Sequence, residues 1–392
     1  MRRRETMDFV YHVPTKIVFG SGCLKRLHEY QMPGKKALIV ITKDGLMKKL
    51  GYLEILQDEL KKAGVTFTVF DGITPNPETK DIDRAAAMCR DEDCDFVIGL
   101  GGGSSMDAAK AIALAAVNPD QFWTYSSTTS GGKKGFVEPI PLSTVEITTT
   151  AATGSEVDPW FVISNNETNE KTAFGDDGIN HPTIAFIDPE LMTSIPPFLT
   201  AFQGFDILYH AVESYLNIGA DKMSRMFAKE AIQLVFAYLP RCVENGNDLE
   251  ARENISLASS LAAFQMRCLN LHNMEHVLSA FHPELPHGIG LILLSDAYFD
   301  HLIDKGVADA DFAYLGKLMG SDKDDPSGFK ERMQYLKEKC HVADLKMSDY
   351  GIKEEELKMF SQNVHKMTDD HQRDPVIMDE DDFYEIYKRS FK

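Results

Sequence analysis

The stretch DFVIGLGGGSSMDAAKAIALAAV, residues 95–117, decides the fold of this chain. Its first six residues are mostly apolar and predict a buried strand, and residues 104–117 predict a helix. The glycines between them let the backbone approach a ligand closely, and the free N–H groups of a helix start attract an anion. The stretch therefore predicts a turn that holds a pyrophosphate. Because it has neither GxGxxG spacing nor a Walker A lysine, a tight turn that binds nothing is the alternative.

The same alternation of strand and helix extends on both sides of this stretch. Apolar runs rich in β-branched residues predict further strands at Lys36–Thr42 and at residues 66–70, 161–164 and 183–187. Helical patterns occupy residues 46–63 and 78–91. Strands and helices that alternate at this spacing predict a parallel sheet with right-handed crossovers.

The pattern changes after residue 188, where strand signals give way to long amphipathic segments. These segments lie at residues 206–216, 222–239, 249–271, 288–302 and 310–319. They predict an all-helical second half. We place the boundary near Pro196 and Pro197, which divides the chain into an α/β domain, residues 1–195, and a helical domain, residues 196–392. Two domains are expected because a single core stops growing at roughly 250–300 residues.

The composition excludes several classes of function. The 392 residues carry a formal net charge of -19, whereas a nucleic-acid binder needs an excess of basic side chains. No apolar run approaches the roughly 20 residues that span a bilayer. The 6 cysteines are scattered and form no C-x-x-C motif, a pattern typical of reduced thiols. We therefore expect a cytoplasmic protein that binds neither nucleic acid nor membrane.

The helical half contains a carboxylate and several histidines at helical spacing. Asp206 and His210 are four residues apart, as are His272 and His276, and His287 follows in a Pro-His-Gly sequence. Side chains at this spacing project from one face of a helix. Carboxylate and imidazole are ligands that suit Fe(II) or zinc. The pattern predicts a metal site, although spacing alone does not choose between His272 and His276.

A second polar stretch, TTTAATGSE at residues 148–156, has hydroxyl groups that suit the sugar or carboxamide of a cofactor. Threonine is also common in ordinary strands, so this stretch carries little weight by itself.

In chain order, these motifs resemble those of the iron-containing (group III) alcohol dehydrogenases, notably the butanol and propanediol dehydrogenase-like members. The matching stretches are GGGSSMDAAKAIA (101–113), AATGSEV (151–157), GFDILYHAVE (204–213) and the histidine-rich residues 272–288. The resemblance implies a dehydroquinate synthase-like fold, with an α/β N-terminal domain that binds a dinucleotide and an all-α C-terminal domain that binds a metal. It also implies a homodimer or a larger homo-oligomer.

The resemblance also implies roles for individual residues. The metal, Fe(II) or another divalent ion such as zinc, would be held by Asp206, His210, His272 and His287. His276 would have a catalytic role beside the nicotinamide and the substrate. The cofactor-binding residues implied are Gly101, Gly102, Gly103 and Ser104 at the pyrophosphate, with Asp107, Thr148, Thr149, Thr153 and Lys171 elsewhere along the cofactor.

The cofactor preference depends on the end of the strand Lys36–Thr42. Many NAD-preferring relatives carry an acidic residue there, which bonds the ribose 2′-hydroxyl and repels a 2′-phosphate. Thr42 or Lys43 takes that place here, and we therefore expect NADP rather than NAD. Tyr209 and Gln203 also depart from the usual residues near the substrate pocket, so the resemblance does not identify the substrate.

The implied activity is that of a metal-dependent, NAD(P)-linked oxidoreductase that interconverts small primary alcohols and aldehydes by hydride transfer. One alternative is a metal-dependent lyase of the dehydroquinate synthase type, in which the first ligand is typically a glutamate and not an aspartate such as Asp206. A second alternative is a glycerol or polyol dehydrogenase, in which the position of His210 is usually not a ligand.

Overall fold

The computed structural model describes residues 8–118, 120–125, 140–175, 178–264, 266–368 and 372–392. The chain forms two compact units. One is His12–Ser194, and the other is Ile195–Lys392 together with the described N-terminal residues 8–11.

A parallel sheet forms the centre of the first unit. The strands described in it are β1 (Lys16–Phe19), β2 (Lys36–Thr42), β3 (Thr66–Ile73), β4 (Phe96–Gly101), β5 (Ser143–Thr148) and β8 (Ile184–Ile187). They lie in the order β1-β8-β5-β4-β2-β3, and all neighbouring pairs are parallel. Two further strands, β6 (Phe161–Asn165) and β7 (Glu170–Phe174), form a separate antiparallel hairpin.

The strand order places a crevice where a ligand can bind. From β2 the chain continues outward to β3, and from β4 it continues in the opposite direction to β5. The winding therefore reverses between β2 and β4, and the loops that follow these strands diverge at the carboxyl edge of the sheet. Open α/β sheets bind their ligands at such a switch point.

Helices cover both faces of this sheet. Those described are α1 (Leu46–Lys49), α2 (Tyr52–Lys62), α3 (Thr79–Asp91) and α4 (Gly103–Ala116). Along β2, Leu38 and Val40 belong to one buried cluster, and Ala37, Ile39 and Ile41 belong to the other. Because successive side chains of a strand point to opposite faces, a strand covered on both sides reads as an unbroken apolar run.

The sequence prediction for this unit needs two corrections. The helix predicted for residues 46–63 is broken into α1 and α2, because Gly51 adopts a φ of 76°, which suits glycine and interrupts a helix. The strands β1, β5 and β7 were not predicted. β5 reads STVEIT, and its alternation of polar and apolar residues lacks the continuous apolar run that identified β2 and β4.

The second unit is mostly helical. Its helices are α5 (Pro197–Leu216), α6 (Lys222–Glu244), α7 (Leu249–Ala263), α8 (Asn270–Phe281), α9 (His287–Asp304), α10 (Asp309–Leu318), α11 (Ser327–Lys339), α12 (Leu357–Thr368) and α13 (Glu380–Ser390). None of the described helices is long and apolar enough to cross a membrane. An α/β half with a parallel sheet is thus followed by a helical half, as the sequence predicted.

The helix predicted for residues 249–271 is two helices, α7 and α8. The chain between them bonds to α5 instead of continuing as a helix. The N–H of Arg267 donates to the Ser214 hydroxyl at 2.9 Å, and the Asn217 amide donates to the carbonyls of Arg267 and Cys268. These side-chain bonds satisfy backbone groups that a continuous helix would pair internally. The later helices α11, α12 and α13 belong to the half predicted as helical, but their bounds were not predicted.

Candidate active site

The glycine-rich turn after β4 leads directly into α4. Gly101 has a φ of 147°, a conformation that residues with a side chain rarely adopt. A Cβ atom on Gly103 would lie 2.9 Å from Thr153 Cγ2, too close for a side chain to fit without a shift. The N-cap residue Gly102 supplies no side-chain cap to the first turn of α4, where Ser104 stands, and the backbone N–H groups at such a helix start attract an anion. The turn has the shape and polarity that a pyrophosphate requires.

The threonine-rich segment runs beside this turn. Thr148 ends β5, and the N–H of Thr149 donates to the carbonyl of Gly101 at 2.9 Å. A Cβ atom on Gly102 would contact Thr150 at 3.1 Å. Parallel pairing of β4 with β5 therefore brings together the two segments that the sequence assigned to the cofactor.

Asp107 and Lys171 lie deeper in the same unit. Asp107 Oδ1 accepts from the Ser155 hydroxyl at 2.6 Å, and its Oδ2 accepts from the N–H of Val162 at 2.8 Å. Burial raises the pKa of Asp107, although Lys110 and these hydrogen bonds oppose that effect. Asp107 thereby ties α4 to the residues 155–162. Lys171 is buried in β7, and the contact of both side chains with a cofactor remains a prediction.

The end of β2 presents Thr42 and Lys43. The Thr42 hydroxyl donates to Asp44 Oδ1 at 3.0 Å, and the same oxygen accepts from the N–H of Leu46 at 2.9 Å. The Asp44 carboxylate is therefore engaged at the start of α1. Lys43 is exposed, and its backbone N–H donates to the carbonyl of Ile73 at 2.9 Å.

The four predicted metal ligands converge inside the helical unit. Asp206 and His210 are one turn apart on α5, His272 lies in the first turn of α8, and His287 begins α9. Asp206 Oδ1 lies 3.7 Å from His210 Nδ1, 3.5 Å from His272 Nε2 and 3.7 Å from His287 Nε2. One ligand atom each from Asp206, His272 and His287 lie within 4.8 Å of one another. Helices α5, α8 and α9 thus bring possible metal-ligand atoms together around Asp206 Oδ1.

The chemistry of this cluster fits a divalent cation. Asp206 and His272 are each 3% exposed, yet Asp206 Oδ1 and His272 Nε2 have no hydrogen-bond partner among the described residues. Buried polar atoms normally have a partner, because leaving them unsatisfied costs free energy. Burial acts to raise the pKa of Asp206, but the surrounding imidazoles outweigh burial and hold that pKa below its ordinary value. One carboxylate with imidazoles is a donor set for Fe(II) or zinc.

His276 lies beside the cluster, one turn after His272 on α8. Its ring centroid is 5.5 Å from that of His287, and the side chain is half-buried. Asp206 Oδ1 has short contacts with the rings of His210, His272 and His287. His272 Nε2 thus faces the carboxylate, whereas one ring nitrogen of His276 lies within 4.8 Å of ligand atoms of Glu275 and His287.

Two buried glutamates that the sequence reasoning missed contact the cluster. Nδ1 of His272 lies 2.6 Å from Glu213 Oε1, and Nδ1 of His287 contacts Glu275 Oε2. The signal that points to them is helical spacing. Glu213 follows His210 by three residues, and Glu275 follows His272 by three, so each glutamate shares a helix face with a histidine.

A cysteine also borders the cluster and was not predicted. One ring nitrogen of His210, one of His272 and the sulfur of Cys268 lie within 4.8 Å of one another. Cys268 stands in the loop between α7 and α8, within the stretch predicted as one helix at residues 249–271. It precedes His272 by four residues, and this spacing is the signal that could have identified it. All 6 cysteines lie in the described residues, and all are free thiols.

Comparison with known proteins identifies the family. The model of the iron-containing alcohol dehydrogenases matches residues 14–189, and that of the Fe-containing alcohol dehydrogenase C-terminal region matches residues 200–391. The chain is 33% identical to the NAD-dependent methanol dehydrogenase of Bacillus methanolicus, over 90% of this chain and 92% of that protein. It is 34% identical to the 1,3-propanediol dehydrogenase of Klebsiella pneumoniae, over 80% of each chain.

A solved structure agrees with these matches. The archaeal halo-thermophilic alcohol dehydrogenase ADH/D1 from a Red Sea brine pool is 30% identical to the chain and superposes with a TM-score of 0.90, covering 99% of this chain and 100% of its own. The matches cover the glycine-rich turn as well as the histidine cluster, and the chain belongs to the iron-containing alcohol dehydrogenase family.

Proposed function

We propose that this protein is a metal-dependent dehydrogenase that interconverts small primary alcohols and aldehydes by hydride transfer with a nicotinamide dinucleotide. The observation that carries the proposal is the convergence of Asp206 Oδ1, His272 Nε2 and His287 Nε2, with two of these atoms buried and lacking a partner among the described residues. Family membership adds the relatives named as methanol and 1,3-propanediol dehydrogenases.

The metal ligands proposed are Asp206, His210, His272 and His287. A divalent ion there supplies Lewis-acid polarisation of the substrate oxygen. Asp206 contributes the negative charge of the set, and the buried position of the cluster strengthens its electrostatic interactions because the local dielectric is low. We propose that the ion is Fe(II), and the donor set would also suit zinc.

His276 is proposed to exchange the proton that accompanies hydride transfer. Its ring can take up or release a proton near neutral pH, and it stands half-buried at the border of the ligand set. In alcohol oxidation the ring nitrogen would accept the hydroxyl proton, and a bound nicotinamide would supply the hydride acceptor for the carbinol carbon. In aldehyde reduction it returns that proton to the oxygen.

The cofactor is proposed to lie with its pyrophosphate on Gly101, Gly102, Gly103 and Ser104. Thr148, Thr149 and Thr153 stand next to this turn and supply hydroxyl and backbone groups to the cofactor. We infer a preference for NADPH, because Lys43 is exposed at the end of β2 and the nearby carboxylate of Asp44 is engaged by Thr42 and Leu46. The Bacillus methanolicus relative is named as NAD-dependent, so both cofactors belong in the assay.

The decisive experiment compares the wild type with Asp206→Ala, both purified anaerobically. We expect wild-type protein with bound metal to oxidise NADPH in the presence of butyraldehyde. We expect Asp206→Ala to fold and to lose the metal. Loss of a residue that only hydrogen-bonds a metal ligand lowers activity by up to about 100-fold, and we expect the loss of the ligand Asp206 to exceed that. Metal analysis measures the bound ion, and the absorbance of the reduced cofactor measures activity, with NADH tested in parallel. The control variant is Asp304→Ala, whose side chain is 65% exposed. Full activity in Asp206→Ala without bound metal would refute the mechanism.

Neither alternative class is favoured, because both family models and the named relatives are alcohol dehydrogenases. The same assay separates them. A lyase of the dehydroquinate synthase type recycles its cofactor and gives no net oxidation of NADPH, and a polyol enzyme prefers glycerol to simple alcohols.

Three broader expectations remain proposals. The helical domain, residues 196–392, is assigned the metal, and the α/β domain, residues 1–195, is assigned the cofactor. A homodimer or larger homo-oligomer is inferred from the family resemblance, and sedimentation or light scattering tests it. A cytoplasmic location is inferred from the 6 free cysteines.

A further inference from the structure

Two histidines of the cluster share a feature that the ligand set alone does not explain. Nδ1 of His272 lies 2.6 Å from Glu213 Oε1, and Nδ1 of His287 contacts Glu275 Oε2. Both glutamates are fully buried, with an exposed fraction of 0%. Burying a carboxylate is costly unless it is paired, so these contacts are specific features of the site.

The second nitrogen of each ring faces Asp206. His272 Nε2 lies 3.5 Å and His287 Nε2 lies 3.7 Å from Asp206 Oδ1. A neutral imidazole carries its proton on only one nitrogen. When Nδ1 donates to a carboxylate, the lone pair is left on Nε2. The two glutamates therefore select the tautomer in which both rings present a lone pair toward Asp206.

Each glutamate is fixed by its surroundings. The other oxygen of Glu213 accepts from the N–H of Leu269, just before α8. Gly290 on α9 leaves the space that Glu275 fills, because a Cβ atom there would lie 2.7 Å from Glu275 Cγ and 2.9 Å from its Oε1. The absence of a side chain at Gly290 thus lets Glu275 reach His287.

We propose that Glu213 and Glu275 are positioning residues that orient His272 and His287 and raise the affinity of the site for a divalent cation. This inference rests on the metal site of the proposed function. A carboxylate behind a ligating imidazole fixes the ring and makes it a stronger base, and loss of such a partner typically costs about 10- to 100-fold in metal affinity.

The test measures the affinity for Co²⁺ alone, without nicotinamide or substrate, by competition with a chromophoric chelator. The variants are Glu275→Gln, which keeps an acceptor oxygen without the charge, and Glu275→Ala, which removes the acceptor. Glu213→Gln tests the second pair independently. We expect a loss of about 10- to 100-fold in affinity for each Gln variant, a larger loss for Glu275→Ala, and a changed visible spectrum of bound Co²⁺.

The chain offers a matched control in the other unit. Glu59 is 2% exposed, and one of its oxygens lies 2.5 Å from His28 Nδ1. Glu59→Gln therefore perturbs a glutamate–histidine pair outside the cluster, in which the glutamate is buried and His28 is exposed, and we expect its Co²⁺ affinity to equal that of the wild type. Gly290→Ala is the complementary variant, since it crowds Glu275 without removing the carboxylate, and we expect it to lower the affinity as well.

Each outcome decides the inference. Reduced Co²⁺ affinity in folded Glu213 and Glu275 variants, with Glu59→Gln unchanged, supports it. The inference is overturned if these variants are less stable but keep the wild-type Co²⁺ affinity and Co²⁺ spectrum. A purely structural role of the glutamates would change the unfolding temperature alone. If one Gln variant does not fold, the remaining variants decide. A wild type that binds Co²⁺ but reduces no aldehyde refutes the proposed function and leaves this inference intact.

Discussion

Asp206 is the residue on which the candidate site depends. It is almost completely buried on α5, and its Oδ1 lies within 3.7 Å of a nitrogen of His210 and of His287. The sequence identified Asp206 and His210 from their spacing, because residues four apart share one face of a helix wherever that helix packs. Spacing left His272 and His276 equivalent. In the folded chain His272 Nε2 lies 3.5 Å from Asp206 Oδ1, whereas His276 groups with His287 and Glu275, and the choice of His272 as the ligand stays a prediction.

The role of His276 leads to the first prediction at this scale. We expect His276→Ala to lower kcat by roughly 10²- to 10⁴-fold, the usual contribution of a general acid or base. Metal content should stay at the wild-type level, because His276 is not among the proposed ligands. Steady-state kinetics with metal analysis measure both quantities, and His282→Ala on the following loop serves as the control. An unchanged kcat, or a parallel loss of metal, would remove the proton-transfer role.

Glu146 is a buried acid in the middle of β5, and it belongs to the α/β unit and not to the metal cluster. Neither of its carboxyl oxygens has a hydrogen-bond partner among the described residues, and a Cβ atom on Gly99 would lie 2.0 Å from its Oε2. Burial raises the pKa of Glu146 well above its ordinary value. Lys110 opposes this shift, and Asp107 and Glu156 reinforce it. The folded protein therefore keeps a proton on Glu146 at a pH where the unfolded chain has lost it.

This difference in pKa predicts a dependence of stability on pH. Because the folded state binds the extra proton, the free energy of unfolding falls as pH rises from the unfolded pKa, about 4.5, toward the raised folded value. The slope from one such group is about 1.4 kcal/mol per pH unit. We expect Glu146→Gln to remove this slope in denaturant unfolding across a pH series. The exposed Glu54→Gln should leave it unchanged, and an identical slope in all three proteins would contradict the prediction.

At the scale of elements, the turn between β4 and α4 was read correctly from local sequence. A strand, a run of glycines and a helix are signals that adjacent residues supply by themselves. The neighbouring Thr148–Thr149 segment was a weak signal, because the contact that makes it significant is the N–H of Thr149 donating to Gly101. That contact depends on the pairing of β4 with β5, which residues far apart in the sequence make.

The conformation of Gly101 leads to a prediction for this element. Its φ of 147° strains any residue with a side chain, at a cost of about 1–3 kcal/mol. We expect Gly101→Ala to weaken NADPH binding by roughly tenfold or more, since 1.4 kcal/mol is a factor of ten, while Co²⁺ affinity stays unchanged.

Cofactor fluorescence titration measures that affinity. Gly64→Ala is the matched control, because Gly64 also has a positive φ of 72° but lies at the end of α2, away from the turn. We expect Gly64→Ala to lose stability without losing cofactor affinity. Equal NADPH affinity in Gly101→Ala and the wild type would place the pyrophosphate elsewhere.

For the whole molecule, the metal is expected to be a source of stability. An ion that binds only the folded state stabilises it by mass action, by about 2.7 kcal/mol at a free concentration one hundred times Kd. We therefore expect a chelator to lower the unfolding temperature of the wild type and Co²⁺ to restore it, as measured by scanning calorimetry. Asp206→Ala should show neither change. A Co²⁺-induced shift of the same size in that variant would indicate that the ion binds outside the cluster.

The sequence by itself determined the fold class and most of the proposed ligand set. Strand and helix periodicity, glycine turns and i,i+4 spacing are local properties, and they identified β2, β4, α4 and the pair on α5. The family resemblance, which the comparisons confirm, covers the whole chain and assigned these motifs to one known fold.

The tertiary structure decided which separated groups meet. It joined β5 to β4, broke the predicted helix between α7 and α8, and placed Glu213 and Glu275 behind His272 and His287. These features depend on contacts between residues distant in the sequence, and the periodicity of a single segment contains no information about its partners. The cluster around Asp206 was therefore predicted as a set of ligands, whereas only the folded chain shows which histidine each buried glutamate contacts.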